Sequence, residues 1–194
     1  MINFLTVISV ILGLCTFAII LSVLISFFED RPKEIRKETK SIVETGSMFV
    51  FFLIYYLVIK YNVGSLNILT GSLRTVIIII GTFIVVLGTY VNIKGRSELG
   101  QDWANQIKIY KHHNFHKTGM FSIVRHPLYA SLIWIFFGGG LIFQNYLALL
   151  LNICLFIPFM YYRAKQEELL LISTFPQYTL YQQTVYMFFP KIFK

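Results

Sequence analysis

Residues 2–28 contain no charged side chain. A run of that length exceeds the roughly 20 residues a helix needs to cross the hydrocarbon of a bilayer. In lipid the backbone must satisfy its own hydrogen bonds, so the run is read as a membrane-crossing helix. No basic region precedes it and no small-residue cleavage pattern follows, so it is expected to be a retained span and not a signal peptide. Further apolar runs occupy residues 46–59, 75–93, 128–143 and 146–162. Only Gln144 and Asn145 separate the last two, which predicts a tight antiparallel helical hairpin with Gly138, Gly139 and Gly140 just before its tip. The expected fold is an all-α polytopic membrane protein of about five transmembrane helices.

Composition supports this and excludes a soluble domain. Hydrophobic residues make up 56% of the chain and charged residues 13%, at a mean hydropathy of +0.67, whereas a soluble domain is about a quarter charged. With 194 residues there is room for one membrane domain but not for an added catalytic domain, so any chemistry is expected within the membrane domain itself. A division into an N-terminal membrane region, 1–93, and a catalytic membrane region, 94–194, follows. The 2 cysteines, Cys15 and Cys154, lie inside apolar runs without a partner at a metal or redox spacing and read as small core hydrophobes.

The net charge of +8 is interrupted by spans and forms no single basic stripe, which points to anionic lipid headgroups and away from nucleic acid. Lys and Arg crowd the first connection (Arg31, Lys33, Arg36, Lys37, Lys40) and the third (Lys94, Arg96, Lys108, Lys111, Lys117, Arg125), while the second holds only Lys60 and Arg74. The positive-inside rule then puts the N-terminus outside and the C-terminus, with every long polar segment, in the cytosol. The mixed-sign run 31–40 is expected to be a solvated or interfacial helix.

Gly119 is followed by Arg125-His126-Pro127-Leu128-Tyr129 at the mouth of the fourth run. Pro127 suits the first turn of the helix it opens. Taken singly, Arg125 reads as a snorkelling cation, Tyr129 as a belt aromatic and His126 as weak evidence of anything. After the fifth run comes Arg163-Ala-Lys-Gln-Glu167-Glu168, where an Arg163–Glu167 surface pair accounts for only one carboxylate. Across a hairpin, the Arg125-His126 corner and the Glu167-Glu168 corner fall at the same end and frame a pocket suited to a zwitterion.

In this order, and with Leu171, Phe175, Tyr178, Tyr181 and Pro190 following and Leu99-Gly100-x-x-Trp103 and His113 preceding, the segment 95–193 resembles the isoprenylcysteine carboxyl methyltransferase family. It is more loosely similar to the membrane phospholipid methyltransferases. It departs from the family in Ser131, where glycine is frequent, in the Phe175-to-Tyr178 spacing, one residue short, and in Met120-Phe121. The resemblance implies S-adenosylmethionine as methyl donor, a cytosolic-face pocket built from the last hairpin and the C-terminal segment, and a lipophilic or prenylated acceptor, with membrane lipids around it and no obligatory protein partner. It implies Arg125 and Glu168 as catalytic residues, and His113, Gly119, His126, Pro127, Tyr129, Glu167, Glu168 and Tyr181 as cofactor-binding. Arg125 is then the expected holder of an anionic acceptor, O-methylated at a carboxylate or hydroxyl. No metal is implied, and His112, His113 and His116 lack a carboxylate or cysteine in sequence to complete a shell. The alternatives are a phospholipid-type N-methyltransferase, an NADPH-dependent sterol-type membrane reductase, and a non-enzymatic scaffold.

Overall fold

The apolar runs become helices because lipid leaves the backbone no other partner. The computed structural model of the chain describes residues 3–29, 34–39, 45–65, 70–104, 107–111 and 114–191. Helices α1 (Phe4–Glu29), α2 (Thr45–Lys60), α3 (Gly71–Leu99), α4 (Pro127–Ile142), α5 (Tyr146–Leu151), α6 (Ile157–Ile172) and α7 (Tyr178–Thr184) make up most of it. Three stretches, Phe4–Phe28, Gly71–Asp102 and Tyr146–Ile172, are long and apolar enough to cross a membrane, and the chain is an integral membrane protein. The third is continuous across α5, a π-turn at Asn152–Phe156, and α6. Pro158 lacks the N–H that would bond back into that turn, and the buried Asn152 braces it by donating to the Ile133 carbonyl at 3.0 Å. Helices α2 and α4, at 16 residues each, are shorter.

The tightest seam is between α3 and α4, and its cause is in the sequence. Gly81, Gly88 and Gly95 recur at the heptad interval, which keeps them on one face of α3. A Cβ on Gly81 would stand 2.8 Å from the Gly138 carbonyl, one on Gly88 3.0 Å from the Ser131 carbonyl, and one on Gly95 3.2 Å from the Pro127 ring. Small residues let helix backbones approach where lipid offers no hydrophobic drive. Between them Asn92 donates to the Ser131 hydroxyl at 2.8 Å. A second nucleus joins α2 to the hairpin through Phe51, stacked on Phe156 at 4.5 Å and edge-on to Phe136, while the Tyr55 hydroxyl donates to the Phe136 carbonyl. Helix α1 is mostly exposed and packs on α3 through Ile8, Leu12 and Cys15.

The expected hairpin forms: Gln144 takes a left-handed φ of 50°, and Asn145 caps α5 by accepting from the Ala148 N–H while donating to the Val63 carbonyl. Three expectations are corrected. The part of run 31–40 within the described residues is a strand and not a helix: β1 (Ile35–Thr39) pairs antiparallel with β2 (Ile107–Tyr110), with an irregularity between Ile35 and Lys37. Ile107 and Ile109 are buried and give β1 an apolar-edged partner, so tertiary pairing overrides local helical preference. Helix α3 does not stop near 93 but runs to Leu99, because Gly95 and Arg96 pack inward and Lys94 reaches Glu98 at 3.9 Å along the exposed side. It ends where Gly100 adopts φ 50°. Finally, Cys154 is exposed on the helix surface and only Cys15 packs among hydrophobes.

Candidate active site

The hairpin brings the start of α4 beside the end of α6, and the cluster forms there. Glu168 is 1% exposed. Its Oε1 accepts from Arg125 Nε at 2.7 Å and lies 3.2 Å from His126 Nε2. Its Oε2 is 3.5 Å from Lys165 Nζ and has no hydrogen-bond partner. The Arg125 Nη1 donates to the Gln182 carbonyl at 3.1 Å and to the Val185 carbonyl. The backbone joins the same fastening: Arg125 N–H donates to the Tyr186 carbonyl at 2.8 Å and His126 N–H to the Met187 carbonyl at 3.1 Å. Residues 182–187 are thus tied to the turn ahead of α4.

Pro127 opens α4 and is buried against Gly95, so the glycine seam fixes the height of His126. One turn on, the Tyr129 ring stacks on the His126 ring at 5.5 Å with 10° between planes. Its hydroxyl donates to Glu167 Oε2 at 2.8 Å and accepts from Arg163 Nε at 3.0 Å, so Tyr129 stands between the residues expected to form a simple surface pair. Glu167 Oε2 is also 3.7 Å from His126 Nδ1. Arg125, His126, Tyr129, Arg163, Glu167 and Glu168 therefore form one connected network at the helix ends.

Gly119 sits at φ 60°, and a Cβ there would fall 2.3 Å from Glu98 Oε1. Glu98 uses that space to accept from the Met120 N–H at 2.7 Å, seating the short turn Gly119–Ser122. Sequence reasoning missed Glu98, whose only signal was its place in a charged stretch that reads as loop. Tyr181 donates its hydroxyl to the Phe121 carbonyl. Tyr178 has a buried hydroxyl without a partner. Burial raises the pKa of both tyrosines, joined for Tyr178 by the negative field of Glu168 and Glu167 and opposed for Tyr181 by Arg125, so both hydroxyls stay protonated at neutral pH. Phe115 covers this pair, with ring centroids 5.6 and 5.4 Å from Tyr178 and Tyr181. Its loop is pinned by Asp102, whose Oδ2 lies 2.8 Å from His116 Nε2 and accepts from Asn114. His112 and His113 lie outside the described residues. No group of His, Cys, Asp and Glu with metal-site geometry occurs among the described residues.

A helical membrane protein with a buried, internally ligated Arg–His–Glu cluster at the root of its last hairpin is the class that fold and site define. The model of the isoprenylcysteine carboxyl methyltransferase (ICMT) family matches residues 79–173. The chain's fold is similar to that of the eukaryotic intramembrane Ras methyltransferase ICMT, at a TM-score of 0.61 and 19% identity over 76% of this chain and 53% of that one. The chain spans about half the length of that protein. A search of curated proteins returns no match.

Proposed function

We propose that this chain is a membrane methyltransferase that uses S-adenosylmethionine and methylates a lipophilic acceptor at a carboxylate or hydroxyl. The observation that carries the reading is a pair of buried oxygens without hydrogen-bond partners, Glu168 Oε2, whose ion-pair neighbour Lys165 stands 3.5 Å away, and Tyr178 OH, which lies in the field of Glu168 and Glu167. A buried carboxylate oxygen without a donor is costly, so it calls for a ligand that brings N–H or O–H groups. The amine and ribose hydroxyls of S-adenosylmethionine are such donors, and its net cationic sulfonium suits the Glu167–Glu168 corner and the neutral tyrosine faces. When bound, the cofactor supplies a methyl group on an already activated leaving group. The protein's work is then alignment and exclusion of water, not covalent catalysis.

Within this reading Glu168 accepts ligand hydrogen bonds through Oε2, while Arg125 and His126 hold its Oε1 and so fix the carboxylate plane. His126, Pro127 and Gly119 shape the pocket wall, Tyr129 locks Glu167 and Arg163 in place, and Tyr181 with Tyr178 closes the far side under Phe115. His113 belongs to the same proposed set by resemblance. The 94–194 region carries the pocket and the 1–93 region the lipid-side approach. Helices α2 and α4 complete five crossings, and the basic connections put the pocket on the cytosolic side.

The test is titration calorimetry of the detergent-purified chain with S-adenosylhomocysteine, beside Glu168→Ala and His126→Ala variants. Micromolar binding that both variants lose supports the reading. A folded chain that ignores S-adenosylhomocysteine but binds NADPH is a reductase instead.

A further inference from the structure

Arg96 lies near the C-terminus of α3, 9% exposed. Its guanidinium lies over the Trp103 ring, 4.9 Å from the centroid, and Trp103 meets Phe27 of α1 edge-on at 5.1 Å. Arg96 Nε and Nη1 are buried without hydrogen-bond partners, and no carboxylate among the described residues pairs with the group. This arrangement is half of a binding site. An aromatic ring attracts a guanidinium through its face, but the N–H groups lie in the guanidinium plane and the ring offers them no acceptor. A buried charge in a membrane protein ordinarily has a counter-charge, since desolvation without one is the least tolerable state a side chain can hold. The other arginines nearby are committed: Arg125 to Glu168 and two carbonyls, Arg163 to the Tyr129 hydroxyl.

None of the described residues supplies the missing acceptor, and its chemistry is that of an oxyanion, the group a guanidinium fork fits. Its route is set by depth. Arg96 and Phe27 lie toward the ends of their membrane stretches and Trp103 just beyond the end of one, the headgroup level that tryptophan favours. The adjacent flank of α1 exposes Leu21, Leu24, Ile25 and Phe28. That flank suits an apolar tail and repels a small hydrated anion. We infer that Arg96, backed by Trp103, binds the oxyanion of a membrane amphiphile, a carboxylate or phosphate whose tail lies along α1. The inference stands without the methyl-transfer reading. Its bearing on that reading is one of place: Gly95, the preceding residue, packs on Pro127, next to His126.

The chain holds 2 tryptophans, so Trp134→Phe leaves Trp103 as the sole reporter. In a neutral detergent, that protein is titrated with a fatty acid brominated near its carboxyl end, with the methyl ester of the same acid, and with a similarly brominated phosphatidate, reading quenching of Trp103. Half-quenching by an anionic probe at about tenfold lower concentration than by the ester is expected, with the gap abolished in Arg96→Gln and partly kept in Arg96→Lys. Preference for the acid alone marks a carboxylate site, and preference for the phosphatidate as well marks a phospholipid site. Equal quenching by acid, ester and phosphatidate overturns the inference, as does a gap that survives Arg96→Gln. If Arg96→Gln does not fold, the acid-to-ester comparison on the Trp134→Phe protein decides alone.

Discussion

Gly81→Ala adds one methyl group at the point where α3 and α4 have least room. Its Cβ would meet the Gly138 carbonyl at 2.8 Å, Ile142 Cγ1 at 2.9 Å and the Ile142 nitrogen at 3.1 Å. Two of those atoms are main chain, so no rotamer change relieves the contact. A tolerable carbon-to-oxygen approach is about 3.3 Å, which requires the helices to part by about 0.5 Å at that level. Overpacking of this kind costs about 1–3 kcal/mol, and alanine returns up to about 1 kcal/mol as the better helix former. The net loss of about 1–2 kcal/mol corresponds to a Tm lower by about 3–6 °C for a chain of this size. The control is Gly13→Ala in α1, where a Cβ meets nothing within 4 Å and Tm should hold or rise. Thermal unfolding of the three proteins in one detergent, followed by intrinsic fluorescence, measures this. A Gly81→Ala chain as stable as wild type refutes the seam argument; so does an equal drop in Gly13→Ala. Adding Gly138→Ala, whose Cβ would lie 2.7 Å from the Gly81 carbonyl, should cost less in the Gly81→Ala background than alone, because the helices have already parted.

Gly119→Ala is strained twice, by a left-handed φ and by Glu98, so stability should fall by more than the roughly 1–2 kcal/mol expected of the backbone penalty alone, read as a lowered Tm in the same scan. Arg125→Lys keeps the charge but not the planar fork, and should weaken S-adenosylhomocysteine binding by about tenfold or more in calorimetry, while a change within about twofold would show that Glu168 holds its position without the guanidinium. The tyrosines give a pH dependence: burial raises the folded pKa of Tyr178, so the stability it contributes is complete below the unfolded value of about 10 and is lost as pH climbs above it. Tyr178→Phe should therefore lessen the fall in Tm between about pH 9 and pH 11, and parallel curves for the two proteins would contradict the assignment.

What could be read from the sequence and what could not divide along physical lines. The meeting of Arg125-His126 with Glu167-Glu168 was legible because a short Gln144-Asn145 link between two apolar runs forces an antiparallel return. The strand at Ile35–Thr39 was not, because its partner lies some seventy residues on and alternation in Ile107–Tyr110 is too brief to stand out. Helix α3 passes through Lys94, Arg96 and Glu98, charges that look like a loop until Gly95 is seen pressed on Pro127. The heptad spacing of Gly81, Gly88 and Gly95 was visible but had no meaning without the identity of the facing helix. Glu98 and the orphaned Arg96 owe their interest to neighbours brought in from Gly119 and Trp103, which no local window contains.

The fastening of residues 182–187 to Arg125 and His126 runs almost wholly through main-chain carbonyls, those of Gln182, Val185, Tyr186 and Met187. A guanidinium and two amides that grip carbonyls recognise the path of the chain and not its letters. The grip itself therefore sets no side-chain identity in the segment, although Met187 also packs against the core. The same wiring sets an order of assembly: Glu168 Oε1 can be gripped as soon as α6 is made, but Arg125 reaches its full set of acceptors only after the stretch through Val185 has been synthesised and has folded back. The cluster thus comes into register only once both segments are in place.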